Sequence, residues 1–422
     1  MFRLNSIALA CAMAVSAASA PAQDWPQWQG PGRDNRVVGF EVPKTWPKQL
    51  TSKWKVAVGD GVATPALVGD KLYVFARADG AETTRCLEAA SGKELWKDKY
   101  DSLGASGSAS GFSGPRASPL VAEGKVVTVG VRGVWSCLDA KDGKLLWRKD
   151  DFKGTVPRFY AASSPMLVDG LCVAEVGGPN NGGVVACELA SGKEKWRWTG
   201  DSPSYSSPVL MNVGGTRVII AMTDTKIVAL GVANGKLLWE IPYPVPGRGY
   251  NVATPIVDGT TLIYSGAGRG ATAVKLEKKD GALAATELWK NPDNSVMFNS
   301  PVLKNGLVFG FSTGNDFFCI KMSDGKTAWT APYSPAGQNP APEPAGGRGR
   351  SRGGYCSIVD AGSVLIALTP GMELIVFQPS EKAYSEVARI KVAETPTYAC
   401  PILAGNRLFI KDQDSVSLYV LQ

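Results

Sequence analysis

The chain has 422 residues, 44% of them hydrophobic and 20% charged, with Gly 48 and Pro 28: ample material for a large core, and a turn-rich composition that argues against a helical protein. It contains no histidine, which excludes Ser-His-Asp and Cys-His catalysis, His-ligated zinc and His-held haem. A net charge of +7 is too small to argue for a nucleic-acid partner.

Met1–Ala22 carries Arg3, an apolar run Ile7–Val15 and small residues after it. That is the layout of a secretory signal with cleavage after Ala22, and the run is too short to span a bilayer. Cys11 sits behind Ala8-Leu9-Ala10, a poor lipidation box. No later segment is apolar for long enough to cross a membrane, so an exported, periplasmic or secreted protein is expected. Residues 23–51 form an irregular lead-in, and 52–422 are expected to fold as one domain.

That domain repeats itself. Arg85–Trp96, Ser136–Trp147 (SCLDAKDGKLLW), Ala186–Trp196, Val228–Trp239 and Phe318–Trp329 are versions of one phrase, with a longer-turned copy at Ala273–Trp289. Each reads as a strand, a tight turn on Ser/Asp/Asn-Gly-Lys, and a strand ending in Trp. The turn glycine supplies a positive φ, and Trp has the area to pack one hairpin on the next. A second phrase opens each unit: Ala63–Pro65, Ala117–Pro119, Ser163–Pro165, Ser206–Pro208, Ala253–Pro255, Asn299–Pro301 and Ala399–Pro401, with Cys356–Ile358 as its degenerate form. Its copies start 43 to 57 residues apart, the length of a four-stranded blade. Hairpins alone are marginal, so the units must stack. The fold class is all-β: an eight-bladed β-propeller of four-stranded antiparallel blades.

The last unit, ending at Gln422, is one strand short, while Ser52–Val58 is a spare strand with Trp54 in the repeat position. Pairing the two closes the ring and removes an exposed edge. Gly104–Gly114 reads as a flexible Gly/Ser loop, and 332–354 as a disordered Pro/Gly/Arg loop whose Arg348, Arg350 and Arg352 are solvated. Of the seven cysteines beyond the signal, Cys86, Cys137, Cys187 and Cys319 share a small buried repeat position. Cys356 with Cys400, and Cys172 with Cys187, are the candidate bridges.

The hairpin phrase resembles the repeat of pyrroloquinoline-quinone (PQQ)-type propellers, and DWPQWQGPGRDN (Asp24–Asn35) resembles the lead-in of related propellers in bacterial envelopes. The resemblance covers nearly all of Asp24–Gln422 and implies one of two functions. One is a binding or protein-interaction scaffold of the cell envelope, similar to the propeller of the outer-membrane barrel-assembly machinery, with no cofactor. The alternative is a quinoprotein dehydrogenase, in which PQQ lies over Ca²⁺ beneath a vicinal Cys-Cys bridge. No two cysteines are adjacent here, and seven tryptophans (54, 96, 147, 196, 239, 289 and 329) serve as repeat anchors. Glu175, Asn180 and Asn181 are the oxygen ligands this alternative would use, in a stretch that also reads as a plain turn. The scaffold reading is preferred.

In a propeller, the loops entering the inner strands and the loops joining the middle strands open on one face around the axis. Reading the first set yields a candidate ligand-binding mouth: Arg116, Arg158, Tyr160, Tyr205, Arg248, Tyr250, Asn251, Phe298, Asn299 and Tyr398, with Tyr355. Arg77, Arg132, Arg269, Asn315 and Asp316 come from the second set. Arginine forks bind carboxylate or phosphate and aromatic faces stack on sugars or peptides. An anionic or carbohydrate ligand, a peptide or an envelope protein is therefore the expected partner of a monomeric propeller. The competing reading is that the aromatics merely plug a wide ring.

Overall fold

Alternation of apolar and polar residues, broken at each Gly turn, folds every repeat into a four-stranded antiparallel sheet, and eight such sheets form a ring. In blade 2 the strands are Leu120–Ala122, Lys125–Val129, Trp135–Asp139 and Leu145–Lys149. The computed structural model describes residues 24–152, 155–247, 249–334 and 354–421. Residues 1–22, where a signal is expected, Arg248 and most of the 332–354 loop lie outside the described residues. The two middle strands of each blade are buried, as in Leu171–Val176 and Gly183–Glu188, whereas outer strands such as Glu94–Asp101 alternate between exposed and half-buried.

Two devices join the blades. The first is the repeat tryptophan. The Nε1–H groups of Trp54, Trp96, Trp147, Trp196, Trp289 and Trp329 donate to the carbonyls of Ala89, Ala140, Leu189, Val232, Met322 and Ser380 of the following blade, at 2.8–3.3 Å. Except for Trp329, the ring lies on that blade's turn glycine: a methyl group at Gly192 (φ +69°) would sit 2.6 Å from the Trp147 ring. Glycine is needed there for its conformation and for the close approach. The second device is a belt at the start of the inner strands. Thr64 N–H donates to Ser118 Oγ, Ser118 to Ser164, Ser164 to Ser207, Ser207 to Thr254, Thr254 to Ser300 and Cys400 to Thr64, at 2.9–3.3 Å. Blade 8 places Cys400 where the others have a hydroxyl, and in blade 7 the register puts Ser357 there, beside Cys356. A thiol is a weak acceptor, and among the described residues no belt bond is made to Cys400 or to Ser357.

The junction between blades 7 and 8 thus lacks both devices, because blade 7's outer strand, Glu386–Lys391, has no tryptophan. The lead-in spans it instead. Val37 N–H donates to Asp360 O and Asp360 N–H to Asn35 O, both at 2.9 Å, while Glu41 N–H reaches Gly405 O at 3.0 Å. Phe40, Val42, Trp46 and Leu50 pack on the core that blades 7, 8 and 1 share.

The lead-in also fills the channel. Trp25 pairs as an antiparallel bridge with Leu67 of blade 1's inner strand, and Pro26 O accepts from Val121 N–H of blade 2. Trp28 Nε1 donates to Thr254 Oγ1 of blade 5. Arg33 donates to Ser164 O and Pro165 O of blade 3. Asp24 caps the turn at Gly69, so the segment enters from the Gly-turn face. The ring closes as expected: Ser52–Ala57 pairs with Ser415–Val420, with Trp54 opposite Leu418 and Val56 opposite Val416. Buried Lys411 donates to Gly59 O, Asp412 O and Gln413 O beside this seam.

All seven described cysteines are free and buried. Cys172 and Cys187 do stand opposite each other in register. Cys356 and Cys400 both lie buried at the blade 7–blade 8 junction, and neither pair is bridged.

Two truncations separate strap from strand. A chain starting at Ser52 is expected to melt below the mature protein, and one starting at Gly59 far below both, with association through the bared edge of Ser415–Val420. Equal melting of all three chains would contradict the closure.

Candidate functional site

On the face opposite the Gly turns, half-buried aromatic side chains surround the axis in two arcs. In one, Phe112 meets Tyr398 edge-on at 4.7 Å, Tyr398 meets Tyr355 at 4.9 Å, and Tyr355 stacks on Phe298 at 4.1 Å. In the other, Phe159 meets Tyr250 at 4.7 Å and Tyr205 meets Tyr250 at 5.8 Å. The Tyr205 hydroxyl accepts from Phe159 N–H, and burial pushes its phenol up to about 12. Phe112 and Phe159 were not singled out in the sequence: Phe112 sits in the Gly/Ser loop, and Phe159 is masked by the Arg-Phe-Tyr run around it.

The predicted polar residues divide. Asn251 is fully buried, its amide donating to Thr223 O, Asp224 O and Tyr243 O while Arg269 donates to its carbonyl oxygen at 2.7 Å. Asn299 donates to Phe311 O and Gly354 O. Asn315 accepts from Gly354 N–H, and Asp316 from Ser312. These side chains shape the loops from beneath. Arg269 also lies 3.8 Å over Tyr243 and donates to the Tyr243 and Pro244 carbonyls.

Three arginines hold the Gly104–Gly114 loop, which is ordered around a 3₁₀ turn at Gly107–Ala109 rather than free. Arg77 donates to Ser102 O and Ser113 Oγ, Arg116 to Gly114 O, Ala109 O and Phe112 O, and Arg132 to Gly104 O. The expectation of flexibility overlooked those donors, which satisfy loop carbonyls that glycine and serine side chains cannot reach. Asp60 completes the anchor by accepting Ser113 N–H and Oγ–H. Arg158 is exposed beside the Phe159 ring, at 5.4 Å. Tyr160 adopts a left-handed backbone, φ +69°.

The mouth arginines differ from all but one of the blade arginines, the exception being Arg407, which lies over the Phe409 ring without an ion pair. On the blades, Arg85 pairs with Glu94, Arg148 with Asp98, Arg197 with Glu194, Arg217 with Asp169 and Arg389 with Glu373 and Glu386. Among the described residues, Arg77, Arg116, Arg132, Arg158 and Arg269 make no ion pair.

Comparison with known proteins places this architecture. The family model described as "Outer membrane protein assembly factor BamB" matches residues 34–205 and 80–331. The chain belongs to this BamB family. It is 25% identical over 376 residues to the outer membrane protein assembly factor BamB of Burkholderia pseudomallei, covering 86% of this chain and 85% of that protein. It is 25% identical over 301 residues to that of Yersinia pestis, covering 66% and 70%. In fold it resembles the crystal structure of BamB from Moraxella catarrhalis (TM-score 0.61, 13% identity, 88% of this chain and 98% of that one). It resembles equally the quinohemoprotein alcohol dehydrogenase of Comamonas testosteroni (TM-score 0.64, 13% identity, 96% and 81%). At such identities the structural likenesses speak for the propeller alone.

The dehydrogenase likeness raises PQQ with Ca²⁺, and the residues of this BamB-family chain do not fit that group. Among the described residues, no cluster of three or more Asp, Glu, Cys or His is placed to hold a metal. Glu175 is enclosed, accepting Ser204 N–H and Ser206 Oγ–H, and burial raises its carboxyl to about 8, so it is neutral at pH 7. Asn181 is committed to Gly178 N–H and Thr155 Oγ1.

Glu175 yields a pH signature. From roughly 4.5 to 8 the native state keeps a proton that the unfolded chain releases, so its contribution to stability falls as pH rises through that window. Glu175→Gln is expected to flatten the dependence of melting temperature on pH there. Parallel profiles for the variant and native proteins would show that the carboxyl is already ionised in the fold.

Proposed function

We propose that this chain is an envelope protein-interaction scaffold, exported by its N-terminal signal, that engages its partner on the arginine- and aromatic-lined mouth. The observation that carries the reading is the set of guanidiniums left without carboxylate partners on that one face, beside half-buried rings. Five arginines of the blades (Arg85, Arg148, Arg197, Arg217 and Arg389) do find carboxylates, and unpaired charges at a surface complement a partner's potential. Tyr, Phe and Arg are also the residue types that anchor protein interfaces. Family membership supports a scaffold, as the relatives are described as assembly factors. The poor fit of PQQ favours no cofactor. Arg158, Tyr205, Tyr250, Phe298 and Tyr398, with Arg248, form the contact surface in this proposal, and Asn251 and Asn299 shape it.

The test is a triple replacement, Arg158→Ala, Arg248→Ala and Tyr250→Ala, expressed in the native host with its signal intact. The protein is expected to fractionate outside the cytoplasm and to melt within a few degrees of the native chain, but to lose its cross-linked partner. Retention of every partner by the folded variant would make the mouth a plug and nothing more.

A further inference from the structure

We propose that Arg132, Arg116 and Tyr160 form an anion subsite at the blade 2–blade 3 side of the mouth, built to take a carboxylate of an acidic peptide segment. The inference rests on the scaffold reading and specifies what the partner presents there.

Arg132 belongs to the loop joining the middle strands of blade 2, and Tyr160 to the loop entering blade 3. The two loops are tied by Ala161 N–H to Val131 O at 3.0 Å. The Arg132 and Arg116 guanidinium carbons lie 5.6 and 5.9 Å from the Tyr160 ring centre. Two cations thus lie within reach of one aromatic ring, and an anion joining them relieves their mutual repulsion. Asp60 and Glu82 offset the Arg116 charge only at a distance, because Asp60 is held by Ser113, and Glu82 by Tyr100 and by Val131 N–H at 2.9 Å. Neither comes within ion-pair distance of Arg116 or Arg132.

Anchoring the Gly104–Gly114 loop does not use up these donors. Arg116 gives its terminal nitrogens to three loop carbonyls. Arg132 makes a single hydrogen bond, from one terminal nitrogen to Gly104 O at 3.3 Å, and its Nε–H is buried without a partner. A buried guanidinium donor left unmade is costly, and a bidentate carboxylate is the shape that satisfies the fork. Tyr160 is held in its strained backbone by Ser106, whose N–H and hydroxyl lie 3.0 and 2.8 Å from the phenol oxygen. That Ser106 hydrogen bond, with help from Arg132 and Arg116, keeps the phenol below its ordinary value, as an electropositive site requires. The exposed Arg158, two residues before Tyr160, extends the positive surface outward. A peptide carboxylate flanked by apolar side chains matches the rings of Phe159 and Tyr250 beyond it, which a bare inorganic anion would leave unused.

The probe is a fluorescent hexaglutamate peptide, with hexalysine and inorganic phosphate as comparison arms, titrated against the whole mature protein by anisotropy. Binding of hexaglutamate that weakens as salt rises is expected, with no binding of hexalysine. Arg132→Gln retains an N–H for the Gly104 carbonyl but loses the charged fork, and is expected to weaken binding at least about tenfold. Arg217→Ala, which removes a paired blade arginine, should bind as the native protein does. Melting curves establish that both variants fold. Failure of hexaglutamate to bind, or equal binding by Arg132→Gln, would overturn the subsite; so would phosphate binding that depends on Arg132 without any peptide binding. Partner cross-linking in cells keeps the two readings apart. A partner captured equally by native protein and Arg132→Gln sinks the subsite alone, whereas no capture by the native protein sinks the scaffold reading.

Discussion

A tryptophan ring laid over the neighbouring blade's turn glycine is the contact on which the ring depends. Each blade is a sheet with an apolar face it cannot cover alone, and the indole supplies area, shape and one directed hydrogen bond to the next blade. Fully losing such a side chain costs about 3–5 kcal/mol in a packed core. The ring-on-glycine contact recurs at five junctions and the indole hydrogen bond at six, the sixth reaching Ser380 in blade 7, so the blades stand or fall together. Blade 5 departs from the rule instructively. Its elongated hairpin, Ala271–Lys279 with Ala282–Asn291, carries no glycine under Trp239, and Leu283 and Ala285 pack against blade 4 in its place.

The hydroxyl belt adds a second, inner tie, and its gaps explain the lead-in. Where cysteine replaces the hydroxyl and the repeat tryptophan is missing, the ring needs an external staple, and residues 35–50 provide one. The same segment brings Trp25, Trp28 and Arg33 into the axial channel. Arg33 is buried there among carbonyls, with burial lowering it to about 9. A ligand approaching this protein along its axis therefore meets the aromatic mouth from one side and the chain's own N-terminal segment from the other.

Periodicity made the blades readable in the sequence: the Gly-Lys turn, the spaced Trp and the Ser/Thr-Pro phrase each recur, and even the missing eighth outer strand was visible as a surplus at Ser52–Val58. What the Ser/Thr hydroxyls do was not visible, because their bonds run between residues about 45 positions apart, across blades. The path of the lead-in was equally opaque, because it has no repeat to compare with. At the mouth the residue types were found but not their duties. Asn251 and Arg158 look alike as exposed polar loop residues, yet one is sealed under its loop and the other is free, a difference set by the path of the backbone.

The mouth is the central claim, and its arginines are the reason for it: five of them make no ion pair, whereas Arg85, Arg148, Arg197, Arg217 and Arg389 on the blades each have a carboxylate. Hydrogen exchange on the isolated protein and on its purified partner complex tests this most directly. Slowed exchange is expected in 102–116, 155–161, 199–206, 243–251 and 292–299, with the Gly-turn face and the outer strands unchanged. Protection confined to the outer strands or to the turn face would contradict the account.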